Sequence, residues 1–297
     1  MSFASHGQAL PIIRYLRAGR NDVTSLVCWV GVDSRGPASV YLGSDSRISW
    51  TGPASRSTWD VGRKLFASRT APDVLGYMGQ VLFPSQVLPQ IIDIIDAGLL
   101  YAGNAEPDWK RQAVFRVVRQ QFENYPDRRS DPFTIVYCTR FGSGMNSNFH
   151  ISAIQWKNSR WAEETFEIPR ESTVVQVWGS GQAAVERWYQ RWAQTRQGGQ
   201  TSRSVFSGFC DSLANGEDPF TGGAPQLVGA YRQEAARRFG IIYQGQRYLY
   251  GTLLVDSALV GSIEWRNALF ERCDGSTGVR LGVAQRHGRP KGLGKAV

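Results

Sequence analysis

The order in which strand-like and helix-like runs follow one another restricts this chain more than any other feature. Leu26 to Val30 and Ser39 to Gly43 are β-rich, and the turn cluster Asp33-Ser34-Arg35-Gly36-Pro37 between them makes a hairpin the simple reading. Ser49 to Ser57, rich in Gly, Pro, Ser and Thr, reads as a loop. Lys64 to Ala67 and Val74 to Gly79 then supply two further strands. The period changes after Pro84, where Val87, Leu88, Ile91, Ile92 and Ile95 share one face of a helix running to Leu100. Val114, Val117, Val118 and Phe122 do the same between Asp108 and Tyr125. Strands return at Phe133 to Thr139, Phe149 to Gln155, Trp161 to Ile168 and Val174 to Trp178. Helices follow at Gln182 to Gln194 and Arg203 to Leu213, and late strands at Pro225 to Tyr231, Gly240 to Tyr243, Gly251 to Val255 and Ser262 to Arg272. Helices segregate from runs of strands and do not alternate with them, so the expected class is α+β. Two mainly antiparallel sheets packed face to face, with a helical layer outside each, form a four-layer αββα sandwich that buries all these apolar faces.

With 297 residues, 42% of them hydrophobic, one large core is affordable, and residues 24–275 read as a single domain. Residues 1–23 read as a leader, a propeptide or a misassigned start, and 276–297 as a basic, flexible tail. No window approaches 18 consecutive apolar residues, so a membrane partner is not expected and the location reads as cytoplasmic. The net charge of +9 is concentrated in that tail, where Arg280, Arg286, Arg289, Lys291 and Lys295 meet no acid. This favours a solvated end over a nucleic-acid surface. Cys28, Cys138, Cys210 and Cys273 lack CxxC spacing and neighbouring histidines, so neither a metal site nor a disulfide framework is expected, and no cofactor.

Candidate chemistry starts at the first hairpin. Thr24 heads its first strand and Asp45 ends its second, so any fold that joins these ends puts a hydroxyl beside a carboxylate. A threonine hydroxyl is a poor nucleophile near neutral pH and needs a base, which a free α-amino group with a pKa of about 8 provides. The three histidines, His6, His150 and His287, are scattered over the leader, a strand start and the tail, and do not suggest a Ser-His-Asp arrangement.

Six segments, in order, carry a family resemblance: Thr24-Ser25, Gly43-Ser44-Asp45-Ser46-Arg47, Lys64-Leu65-Phe66, Gly76-Tyr77-Met78-Gly79, Gly179-Ser180-Gly181 and Asp218-Pro219-Phe220-Thr221-Gly222-Gly223. The chain resembles the proteasome β-subunit family of N-terminal-nucleophile hydrolases, which includes bacterial proteasome-like peptidase subunits, over roughly residues 24 to 250. The resemblance implies a threonine peptidase with Thr24 as nucleophile and Lys64 and Asp45 as its charged partners. It places Ser180, Asp218 and Thr221 around the α-amine, the Gly79 N–H at the oxyanion, and Ser49 and Met78 against the substrate. It also implies a peptide or unfolded-protein substrate, a homo-oligomeric ring or chamber, and an ATP-dependent unfoldase as partner. Two other outcomes are open, a catalytically inactive scaffold subunit and a non-proteolytic amidase of the same superfamily. Val23 stands where self-processing members carry glycine, so a free Thr24 requires either autoprocessing past a β-branched residue or translation from codon 23 with methionine removal. The second Asp-Pro-Phe-Thr, at 131–134, is assigned no catalytic role.

Overall fold

A computed structural model describes residues 23–51, 56–127, 131–195, 198–256 and 261–293. The hairpin strands are β1 (Leu26–Asp33) and β2 (Gly36–Ser44), paired with Leu26 opposite Ser44. Where the sequence reads as a loop, β3 (Ile48–Thr51) and β4 (Arg56–Trp59) form a separate antiparallel pair, with Ile48 opposite Trp59. Their Ser and Thr residues hide the alternation that a half-buried hairpin needs.

Then come β5 (Leu65–Ala67), β6 (Val74–Gly79), α1 (Leu82–Asp96) and α2 (Pro107–Glu123). The chain continues through β7 (Phe133–Phe141), β8 (Asn148–Lys157), β9 (Arg160–Phe166) and β10 (Thr173–Trp178). Next are α3 (Gln182–Ala193), α4 (Ser202–Ala214), β11 (Gln226–Tyr231) and β12 (Arg237–Tyr243). Last are β13 (Gln246–Leu249), β14 (Thr252–Leu253), β15 (Glu264–Asn267) and β16 (Arg272–Cys273). One nine-stranded sheet runs β10-β1-β2-β11-β12-β13-β14, with β15 added in parallel on β12 and β16 on β15. The other, five-stranded and antiparallel, runs β5 to β9 in chain order.

Three buried clusters fill the spaces between four layers. On β1, Val27 and Trp29 face α3 and α4 and pack with Val185, Phe206 and Phe209. Their neighbours Leu26, Cys28 and Val30 point the other way, into a core shared with Leu65, Val74, Val136 and Ile151 of the second sheet. The outer face of that sheet, through Leu75, Tyr77, Ile135 and Tyr137, meets Leu88 and Ile91 of α1 and Val114 and Val118 of α2. Each central strand is therefore buried on both faces, which is why β1 reads as an unbroken apolar run although its neighbours are antiparallel. The architecture is the αββα sandwich expected from the order of elements.

The basic tail departs from expectation. Over its described part it folds back: the His287 N–H donates to Glu271 Oε1 at 2.6 Å, and Arg289 pairs with both oxygens of Asp211 on α4 at 2.9 and 2.8 Å. Asp211 is buried, and a buried carboxylate requires such a partner. Of the expected leader, only Val23 lies within the described residues. Among the described residues no helix is long and apolar enough to cross a membrane.

Candidate active site

The first site cluster forms where three strand ends meet. Thr24 precedes β1, Asp45 follows β2 and Lys64 precedes β5, and all three side chains are buried. Lys64 Nζ donates to Thr24 Oγ1 at 2.9 Å and to Asp45 Oδ1 at 2.8 Å. The carboxylate has no spare capacity: Oδ1 also takes the Ser25 N–H at 3.0 Å, and Oδ2 takes the N–H groups of Arg47 and Gly222 at 3.0 and 3.1 Å. Burial pulls the Lys64 pKa below that of an ordinary lysine, and the Asp45 charge opposes that shift.

The second cluster lies on loops beside the first. Ser180, between β10 and α3, donates to Asp218 Oδ2 at 2.5 Å, and Asp218 caps its own turn by accepting the Phe220 N–H at 3.0 Å. The Thr221 N–H donates to the Asp218 carbonyl at 3.2 Å. Backbone joins the two clusters, since Gly181 N–H donates to the Thr24 carbonyl at 3.4 Å and Gly222 N–H reaches Asp45. The approach is too close for side chains. A Cβ on Gly179, at φ +95°, would lie 2.0 Å from the Thr24 carbonyl oxygen, and one on Gly181 would lie 1.9 Å from Ser25 Oγ. Thr24 itself has φ +111°, a strained conformation for a β-branched residue.

A cleft of about 790 Å³ opens beside Val23, the residue before Thr24, and is lined further by Ser49 and Trp50 on β3, by Gly79 and by the start of α1. Of the residues named for the oxyanion and the substrate, Ser49 and Gly79 lie on this wall. Met78 does not. Alternation along β6 turns Met78 into the core between the sheets and brings Tyr77 to the cleft instead. Gly79 has φ +89°, and a Cβ there would meet the Pro132 carbonyl oxygen at 2.3 Å. The Gln80 N–H donates to that carbonyl at 3.0 Å, so ladder alternation turns the Gly79 N–H away from β7.

Sequence reasoning missed the residues that hold these loops in place. Gln226, fully buried at the start of β11, donates to the Asp45 carbonyl, Ser46 Oγ and the Gly62 carbonyl at 3.1, 3.1 and 2.8 Å. It also accepts the Lys64 N–H at 3.1 Å, so one amide spans the strands bearing Asp45 and Lys64. Its only trace in the sequence is a polar residue opening an apolar strand. Arg47 forms a two-pronged pair with Asp60 at 2.7 and 2.8 Å and donates to the Pro219 and Thr221 carbonyls, pinning the Asp218 turn to the end of β2.

No family model matches the sequence, and no curated protein matches it. Among solved structures the chain is similar to an Anbu mutant from Hyphomicrobium sp. strain MC1, with 15% identity, coverage of 72% of this chain and 86% of that one, and a TM-score of 0.44. It is also similar to Anbu from Yersinia bercovieri, described as an ancestral β-subunit, with 10% identity, coverage of 70% and 82%, and a TM-score of 0.44.

Proposed function

We propose that the chain is an N-terminal-nucleophile amide hydrolase, and specifically a threonine peptidase, whose active form begins at Thr24. The observation that carries this reading is the buried Lys64 Nζ held 2.9 Å from Thr24 Oγ1 and 2.8 Å from Asp45 Oδ1. A buried lysine is costly unless paired, and here the pair is aimed at the hydroxyl of the residue that follows Val23, which lines the cleft. Thr24 Oγ1 attacks the substrate carbonyl while the freed α-amine takes its proton. Lys64 lends positive charge to the forming alkoxide, Asp45 keeps that lysine charged, and the Gly79 N–H donates to the oxyanion. The amine then passes the proton to the departing nitrogen, and water hydrolyses the Thr24 ester. Ser180, Asp218 and Thr221 orient the amine. The open edge of β3 at Ser49 pairs with the substrate backbone as an added strand.

The strained φ of Thr24 bears on release of the amine, because cutting the Val23–Thr24 bond removes the steric restraint that φ describes. Assembly into rings and supply of unfolded chains by an ATP-driven unfoldase belong to the same proposal. A second reading, a non-cutting structural subunit, is favoured by one observation: the residue before Thr24 is Val23, whose β-branched side chain hinders attack on its carbonyl. Intact-mass measurement on protein expressed from its native gene, with a fluorogenic peptide assay of that protein beside Thr24→Ala, separates the two. A mature chain beginning at Thr24 with cleavage lost in the variant supports the peptidase, and a chain that keeps Val23 and cuts nothing supports the scaffold.

A further inference from the structure

The walls of the cleft carry information about what it holds. Three large apolar side chains stand at its rim with half or more of their surface in water: Trp50 at 55%, Trp59 at 50% and Leu82 at 60%. Trp50 and Trp59 share a face of the β3–β4 hairpin, since Ile48 lies opposite Trp59 and next but one to Trp50. Phe66 and Tyr77, both buried, form the floor. Scattered exposed apolar residues need no explanation, but three around one cavity with an aromatic floor mark a binding surface.

The chain also shows which part of a substrate would lie there. Val23 lines the cleft and is the acyl partner of the Thr24 amide, so the cavity already receives the residue on the acyl side of that bond. A volume of about 790 Å³ leaves room for far more than a valine side chain. Arg63 adds a fixed positive charge to the wall, its guanidinium stacked 4.4 Å from the Phe66 ring centre and 4.1 Å from that of Tyr250. Arg63 and Asp131, of opposite charge on the same wall, are both exposed, where solvent and salt screen them, so the apolar lining sets the preference.

We infer that the cleft binds an extended peptide carrying a large apolar side chain, aromatic or branched aliphatic, on the acyl side of the bond offered to Thr24, and that it disfavours lysine and arginine there. The inference rests on the proposed function for the direction of the peptide, not for the chemistry of the pocket. Trp50 and Trp59 close over the side chain, Phe66 and Tyr77 lie beneath it, and this apolar lining makes a charged side chain costly.

The test uses a chain beginning at position 24, which retains every described strand and helix because the first starts at Leu26. With Thr24→Ala in place, the peptides acetyl-Ala-Ala-X-amide, X being Phe, Leu, Ala, Glu or Lys, are titrated by calorimetry. The expected result is binding of the Phe and Leu peptides at least tenfold tighter than the Ala and Lys peptides, a difference lost in Trp59→Ala. Equal binding of all five, tightest binding of Glu or Lys, or binding of none overturns the inference. So does a Trp50→Ala, Trp59→Ala double variant that dissociates an oligomer while peptide affinities stay unchanged, since the rim would then be covered by a second copy. Without the Thr24 substitution, the same chain is assayed for cleavage after X. Failure to cut any peptide while Phe binding persists overturns the nucleophile reading and supports the cleft.

Discussion

Asp45 illustrates how little freedom a site residue has once its neighbours are in place. Its two oxygens accept four donors, three of them backbone N–H groups and the fourth the Lys64 ammonium. Asp45→Asn turns an NH₂ group toward two of those donors and leaves Lys64 without a counter-charge in a site closed to water. A loss of about 3 kcal/mol follows from an unsatisfied buried donor beside a broken buried pair. The check is a lower urea midpoint with an unchanged slope, and abolished cleavage. Lys64→Met is milder for the fold, because Asp45 keeps its three backbone donors, yet it removes the charge that the proposed Thr24 alkoxide would require. The same lysine sets a pH limit. Its pKa lies below the ordinary value because it is buried, and the proposed reaction uses its protonated form, so kcat/KM is expected to fall as pH rises through that lowered pKa. A pH–rate profile that stays flat across the alkaline range contradicts this role. Asp45 and Lys64 stood out as candidates in the sequence because they fall in segments that carry the resemblance, whereas Gln226 is a common side chain whose importance appears only when its four partners converge.

The elements that bring the residues together are connected by turns with almost no clearance. Gly179 between β10 and α3 has φ +95° and passes 2.0 Å from the Thr24 carbonyl oxygen, measured to the Cβ it lacks. Gly179→Ala adds about 1–2 kcal/mol of backbone cost and pushes Thr24 out of line with Lys64. Activity is expected to disappear while most of the melting temperature is kept. Gly98→Ala is the control, since Gly98 also has positive φ, at +71°, but no atom within 4 Å of its Cβ; cleavage there should remain at the wild-type level. The β3–β4 hairpin shows where reading elements from sequence stops. Its Ser and Thr residues and its flanking Gly and Pro match loop composition, and only pairing makes it a strand pair that holds Trp50 and Trp59 at the cleft. Met78 makes the same point, because a shift of one position along β6 separates the cleft from the core.

For the whole molecule, the tail and the helical layer form one unit. Asp211 on α4 accepts the Trp192 indole N–H of α3 at 2.7 Å and both prongs of Arg289, so one buried carboxylate ties two helices to the end of the chain. Arg289→Ala leaves that carboxylate with a single side-chain partner from α3 and is expected to cost about 3 kcal/mol, by the same reasoning as for other broken buried pairs. The measurements are a lower melting temperature and rapid tryptic release of residues beyond about 275, while the wild-type tail resists. By itself, the sequence determined the α+β class and the limits of most strands and helices, because periodicity is a local property; the hairpin reading paired Thr24 with Asp45, and the resemblance added Lys64, Ser180, Asp218 and Thr221 as candidates. The tertiary structure alone decided that Tyr77 and not Met78 meets the cleft, that Gln226 and Arg47 fix the loops, and that a basic tail packs instead of dissolving. Each of those depends on which surfaces come to face one another across the layers, and that is set by long-range packing which no stretch of sequence contains.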